Sequence, residues 1–513
     1  MWSLPAAFKK AFLAFAAAVT AFFRHRILWP GSGPDKTFPD TPLPPGSNGC
    51  PLMGSNLYAG SSSYGIGVMF TKLFQRMGRP QLFRFYSFGT PMVSVTGKDA
   101  IQSVLKTEFR ENGVGTLDFS KNFPNMMEVL GNKGVIYEND RDRHLFLRRL
   151  VGGAMSSSAV TSSVPALAQA ANLQIDRIVN AYAGDKTSVV MHDLCNDFTL
   201  DVAWRSILGL NLKGEDEIKK FRTNTKLWLD GILSPLLMMP FKIPFLHRTN
   251  THRGKEYLVS AVESKLQELD RNGPDDSTLS KMYFSTDEDG STRLSHEELI
   301  DNSLILILAG SETSSSTLVN CMLLLGLHKD VLRKLQAEQQ ALIDKYNTAE
   351  LTKDWLDNDC PYLDAFIRET LRIRPLNSIE LRQNQQTIIL DGEQIPKKNY
   401  IYANLRATHD QDPSVRENGS DDHMDLVKGF KPERWLKSET TPQEWMPFGM
   451  GARRCLGERL AMTEMKVFMA SLVRRITDFD LIGVDSAKDV KWKKNSLIPI
   501  PEDGVVIRPT ALA

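Results

Sequence analysis

Two stretches of this sequence set reactive side chains at spacings that an ordinary protein surface does not use. The first, FGMGARRCLG from Phe448 to Gly457, places Cys455 among Gly449, Gly451 and Gly457, directly after Arg453 and Arg454. The second puts six hydroxyl side chains in seven positions (Ser311, Thr313, Ser314, Ser315, Ser316 and Thr317), beside Gly310 and Glu312.

Three roles compete for Cys455: nucleophile, zinc ligand, or thiolate ligand to another metal. Only five cysteines occur (Cys50, Cys195, Cys321, Cys360 and Cys455), odd in number and far apart, which argues against a disulfide framework. A zinc site takes about four Cys or His ligands. No second cysteine lies within 90 residues of Cys455, and its nearest histidine is His423. A nucleophile would need a histidine base delivered by the fold, which the sequence leaves open. The third role accounts for more of the surroundings. The glycines let backbone approach a flat ligand closely, and Gly457 precedes the amphipathic run ERLAMTEMKVFMASLVRRI. Cys455 is therefore expected at a helix N-terminus, where free amides and the dipole favour the thiolate and lower its pKa. Arg453 and Arg454 add positive potential and can pair with a carboxylate on the ligand.

The hydroxyl-rich stretch needs a helix to carry it. Ser295 with Glu298 is a capping box, and LIDNSLILILAGSETSSSTLVNCMLLLGL follows without proline, which predicts one long buried helix. Hydroxyls in its middle can bond back to carbonyls one turn earlier and bend it. Glu312 would be costly to bury there without a partner or a task. The plainer alternative turns Glu312 to solvent and uses the serines as a close helix contact.

Around these stretches apolar residues recur at three- and four-residue spacing, as in Ala461, Met465, Phe468, Leu472 and Ile476, so the fold class is mainly α with a small β part. A hairpin is expected over Gln81 to Gly97, with short strands at TIILDGEQI and GVVIRP. The 513 residues are 42% apolar and 24% charged with net charge +1, a globular composition with no attraction for nucleic acid.

The N-terminus differs. Lys9, Lys10, Arg24 and Arg26 bracket the apolar run Ala11 to Phe23, whose 13 residues would span about 20 Å as a helix, short of a bilayer crossing. Residues 1–29 read as a membrane anchor or interfacial helix, with a cleaved targeting peptide as the alternative. Seven prolines between Pro30 and Pro51 predict a stiff linker over 30–51, which leaves 52–513 as one large domain. The polar stretch from Asp270 to Arg293 reads as a solvated loop. Its DEDG, Asp287 to Gly290, is not an EF-hand because Ser285 and His296 stand where acids are required.

Phe448, Gly451, Arg453, Cys455 and Gly457 match, position for position, the haem-binding signature of the cytochromes P450. The sequence resembles that family, in order and spacing, also at ETLR (Glu369, Arg372), KPERW (Pro432, Arg434) and AGSET (Ala309 to Thr313), and the similarity runs from about Leu43 to Pro509. The resemblance implies the cytochrome P450 fold, with the long helix crossing a heme b (iron protoporphyrin IX) whose proximal ligand is Cys455. It implies Thr313 and Glu312 as catalytic hydroxyl and proton-relaying acid, and Gly310 as room for dioxygen. Phe448 would lie against the cofactor. Arg453, Arg382, Arg148 and His144 would hold its propionates, although the family often carries Trp where His144 stands. His409 is expected either near the haem edge or in a structural role. Glu369, Arg372 and Arg434 are expected to form a buried lock.

The same resemblance implies electrons from NADPH through a partner, a cytochrome P450 reductase or a ferredoxin, because no flavin or nicotinamide fingerprint occurs in the chain. Arg454, Arg459 and Lys466 are the candidates for its docking face. DGILSPLLMMPFKIPFLHRTNTHRGKEYL is similar to the branch that handles retinoids, sterols and other isoprenoids. The expected reaction inserts one oxygen atom from O2 into such a lipophilic substrate, at a membrane of the endoplasmic reticulum, or alternatively of a plastid or mitochondrion. Leu376, Ile379, Leu497, Ile498 and the 112–135 loop are expected to line the pocket, with Glu380 facing away from it. Alternatives are an isomerase or lyase of the same fold acting on hydroperoxides or epoxides without a reductase, a non-catalytic haem binder, and a cysteine hydrolase.

Overall fold

The computed structural model describes residues 28–512 except for 30, 48–65, 88–89, 117, 184–186, parts of 233–248, 287–293, 377–378, 417–421 and 494–497. The expected anchor (save residues 28 and 29), DEDG and Leu497 lie outside the described residues. Among the described residues, no helix is long and apolar enough to cross a membrane.

Eleven strands are described: β1 (Gly46–Ser47), β2 (Leu82–Ser87), β3 (Thr90–Val95), β4 (Val114–Gly115), β5 (Val189–Val190), β6 (Ile379–Asn384), β7 (Ile388–Leu390), β8 (Glu393–Ile395), β9 (Tyr400–Asn404), β10 (Ile476–Leu481) and β11 (Val506–Leu512). They form one sheet in the order β1-β2-β3-β9-β6-β4, a second in the order β10-β11-β5, and the β7–β8 hairpin. The expected hairpin is β2–β3, antiparallel from Leu82↔Val95 to Ser87↔Thr90. TIILDGEQI forms β7–β8, turning through Asp391 and Gly392 at φ 51° and 75°, the left-handed pair such two-residue turns require.

Over its described part the proline-rich segment is tied to the sheets. Gly46 and Ser47 pair in parallel with Arg84 and Phe85 of β2, Arg84 Nε donates to the Pro44 carbonyl at 3.0 Å, and Gln394 in β8 bonds to Asp35, Phe38 and Thr41. Proline removes backbone donors but leaves carbonyls, and these carbonyls are what the sheet and Gln394 capture.

The helices that build the site are α1 (Lys98–Leu105), α2 (Pro124–Leu130), α3 (Arg141–Gly152), α4 (Ser157–Ala183), α5 (Met191–Val202), α6 (Gly214–Ile232), α7 (Asn250–Asn272), α8 (His296–Leu327), α9 (Pro361–Ile373), α10 (Leu405–Asp410) and α11 (Glu458–Val473). Helix α8 starts at the expected capping box, with Ser295 and Glu298 each bonded to the other's backbone. Its 32 residues span about 48 Å. Its first half, to Ile307, packs in one apolar cluster with α2, α6 and α7, and its last turns, Leu318 to Leu325, pack in another with α4, α5, α9 and α11. The hydroxyl-rich segment therefore falls between two cores. Helix α11 is buried on every side from Thr463 to Val473, the pattern of a central helix.

Candidate active site

The loop before α11 is built by its glycines. Gly449 and Gly451 adopt φ of +72° and +70°, and a Cβ on Gly449 would stand 1.8 Å from Glu380 Oε1, so a side chain there is excluded by both conformation and space. Cys455 N donates to the Phe448 carbonyl at 2.9 Å, closing the loop. The Cys455 thiol is solvent-accessible, whereas Cys195, Cys321 and Cys360 are buried. Surrounding protein nonetheless desolvates this sulfur. Burial raises its pKa, while the Gly457 and Glu458 amides and Arg148 pull it down. The expected low thiol pKa is thus corrected: in the free thiol, desolvation outweighs the helix N-terminus.

Three guanidinium groups and one histidine gather beside this loop. Arg453 Nη1 lies 3.2 Å from His144 Nδ1, and the Arg453 guanidinium stacks over Phe109. Arg453 Nε and Arg382 Nε both approach one oxygen of Glu108. Arg148, on α3 one turn beyond His144, donates to the Arg454 carbonyl at 3.0 Å. His144 is buried, with its pKa lowered by burial and then by Arg453, so it is neutral at pH 7. Glu380, expected to face away from the substrate pocket, points at the Cys455 loop: burial raises its pKa, and the Met450 amide donates to it.

On α8 the hydroxyls bond back as expected, and the helix runs unbroken. Ser311 donates to the Ile307 carbonyl at 2.6 Å, Thr313 to Ala309 at 2.6 Å and Ser316 to Glu312 at 2.7 Å. The expectation that Gly310 leaves room finds only Ile207 in its Cβ direction, 3.7 Å away, while Ala309 is the exposed residue of the turn. Glu312 is half-buried; its pKa is raised by burial, then by Asp230, and opposed by Lys493 and Lys226. Sequence reasoning missed Glu464, which accepts from Ser314 and whose pKa is pushed up to about 8 by burial. Its signal was present: an acid inside the apolar stripe Ala461, Met465, Phe468.

The expected lock is formed. Glu369 accepts from Arg372 Nε and Nη2 and from Arg434 Nε, each at 2.9 Å. His409 has a structural role: its Nδ1 donates to the Arg372 carbonyl at 3.0 Å, and its Nε2 accepts from the Met446 amide at 2.9 Å. Burial pushes its pKa from 6.5 down to about 4. Between those values the unfolded chain binds a proton that the fold refuses, so His409 stability is complete above pH 6.5. It is lost as pH falls toward 4, by up to about 3 kcal/mol. His409→Gln should flatten the decline of the denaturant midpoint across that window.

A family model described as "Cytochrome P450" matches residues 44–501. The chain belongs to the cytochrome P450 family. Relatives of this P450 include cytochrome P450 26B1 of Xenopus tropicalis, 26% identical over 84% of this chain and 80% of the relative. The putative cytochrome P450 120 of Synechocystis is 26% identical over 85% and 90%. A solved structure, retinoic acid bound cyanobacterial CYP120A1, shares the fold with a TM-score of 0.73 at 23% identity, over 92% of this chain and all of that one.

The residues of this P450 fit the haem of its family. Among the described residues no group of three or more His, Cys, Asp or Glu side chains is placed to hold a metal ion. Arg382 Nε is buried and, though ion-paired with Glu108 at 3.2 Å, makes no hydrogen bond, which leaves a donor for an anion. Two expectations for the P450 surface change. Lys466 is not on a docking face: it is buried and ion-paired with Asp364 at 2.9 Å and Asp357 at 3.5 Å, because α11 is central. Arg454 is exposed but paired with Glu458 at 2.7 Å, leaving exposed Arg459 of the three. Of the pocket candidates, Leu376 and Ile498 are half-buried. The 112–135 loop is clasped to α8, since Asp301 accepts from the Asn132 and Lys133 amides and Asn302 from Val135, each at 2.9 Å.

Proposed function

We infer that this cytochrome P450 monooxygenase inserts one atom of dioxygen into a lipophilic terpenoid substrate, retinoids and sterols foremost, using NADPH electrons passed by a separate reductase or ferredoxin. The observation that carries it is the accessible Cys455 thiol at a helix N-terminus, flanked by Arg148, Arg453, Arg382 and His144. Cys455 would hold the haem iron and those four residues its propionates. Bound haem supplies the activation of dioxygen, and thiolate donation favours O–O cleavage.

The chain's own contribution is proton management. Thr313 commits its hydroxyl proton to the Ala309 carbonyl, so its oxygen is free to accept from an incoming donor. Glu312 holds its proton to a higher pH than an ordinary carboxyl and lies in the field of charged Lys226, Asp230 and Lys493, which suits it to pass protons inward. Thr313→Ala should keep haem content while product formed per electron falls, and Glu312→Gln should slow turnover on the order of 100-fold. Equal coupling in Thr313→Ala and wild type would remove the role from Thr313.

Retinoids lead the test because the solved structure that shares this fold has retinoic acid bound. Purified protein should be titrated with retinoids, sterols, carotenoids and fatty acids while the iron spin state is followed, and then turned over with and without an electron donor. Product formed without a donor would favour the isomerase or lyase reading.

A further inference from the structure

Two buried guanidinium groups share a single carboxylate oxygen at the cationic edge of the Cys455 loop. Glu108, in the turn after α1, takes Arg453 Nε on its Oε1, and Arg382 Nε stands 3.2 Å from the same atom. The Glu108 side chain is 1% exposed and each arginine 8%. Two like charges in such a place repel strongly without a counter-ion. Glu108 answers that need in an unusual way. A carboxylate that pairs with arginine frequently uses both oxygens, whereas Glu108 Oε2 is buried with no hydrogen-bond partner. Arg382 Nε is ion-paired with Oε1 but makes no hydrogen bond, and neither does His144 Nε2.

Arg453 is held from its other side as well, by the carbonyls of Ile136 and Glu138. Glu108 thus joins two cations from separate elements, Arg382 from β6 and Arg453 from the signature loop. It also leaves a negative charge beside the Cys455 loop.

We propose that Glu108 is a positioning residue that orients Arg382 and Arg453 toward the anionic edge of the haem and lowers the haem's midpoint potential. This rests on the haem-thiolate reading above. Removing a buried negative charge favours gain of an electron, so Glu108→Gln, which keeps the shape and loses the charge, should raise the midpoint potential. The expected shift is about tenfold in the reduction equilibrium, 59 mV for one electron. Glu108→Ala should release haem to an acceptor apoprotein about 10–100-fold faster, as loss of an orienting partner does, and Glu108→Asp should recover part of both effects.

A potential unmoved in Glu108→Gln overturns the proposal, including when its unfolding midpoint falls, because that pattern marks a residue serving stability alone. The control separates the two readings. Wild-type protein lacking the thiolate band of the ferrous carbon monoxide adduct overturns both, whereas wild type with the band and an unmoved variant overturns only this one.

Discussion

Cys455→Ser is expected to abolish the thiolate band of the ferrous carbon monoxide adduct and to cut product formation by more than about 100-fold. Loss of a residue that merely orients a metal ligand costs about 10–100-fold, and loss of the ligand itself must exceed that. Serine preserves the size of the side chain, the 2.9 Å closure of Cys455 N on the Phe448 carbonyl and the turn into α11. The fold should therefore survive, and circular dichroism should not change. In the free protein burial holds the thiol proton on, so formation of the thiolate must be coupled to cofactor binding and release a proton. Haem uptake should accordingly weaken as pH falls. A serine variant that kept both the band and the turnover would remove Cys455 from the metal. One that lost the band yet retained hydrolytic activity in haem-free protein would restore the cysteine hydrolase.

What was legible in the sequence were contacts whose geometry is local or whose spacing is rigid. The capping box at Ser295 and Glu298, the back-bonded hydroxyls of α8, the β2–β3 hairpin and the Cys455 loop all follow from neighbours a few positions apart. Glu108 was not legible. KTEFRENG carries no periodicity that marks one acid as buried, and its partners lie more than 270 residues away. Lys466 was misread because a lysine near basic neighbours looks like a surface, and only the packing of α9 against α11 brings Asp364 to it. Asp301 and Asn302 looked like ordinary polar residues early in a helix, yet they receive three backbone amides from the 131–135 loop. The low thiol pKa failed for a related reason: helix position can be read along the chain, whereas desolvation depends on everything folded around the atom.

Glu369→Ala is expected to cause the largest loss of stability, about 3–5 kcal/mol. That is the cost of breaking a buried ion pair by removing one partner, against the 5–15 kcal/mol that holds a typical fold. The Glu369 carboxylate is fully buried and accepts five hydrogen bonds: two from Arg372, one from Arg434, one from the Lys431 amide and one from Trp435 Nε1. Burial by itself would raise its pKa, but Arg372 and Arg434 outweigh it and hold the pKa below the ordinary value. Its contribution is therefore present above pH 4.5 and is lost as pH falls through the folded value. Alanine strands two guanidinium groups in the core, so a variant that also replaces Arg372 by leucine should lose less than the sum of the single changes. The damage should also reach the cysteine. Trp435 packs on Trp445 at 5.5 Å and Trp445 on Phe448 at 6.0 Å, while the Arg372 carbonyl holds His409, which holds the Met446 amide. Both routes end in the segment leading to Cys455. Haem occupancy should therefore fall together with the denaturant midpoint in Glu369→Ala, and a variant that lost stability while keeping full occupancy would show that the lock does not hold the loop.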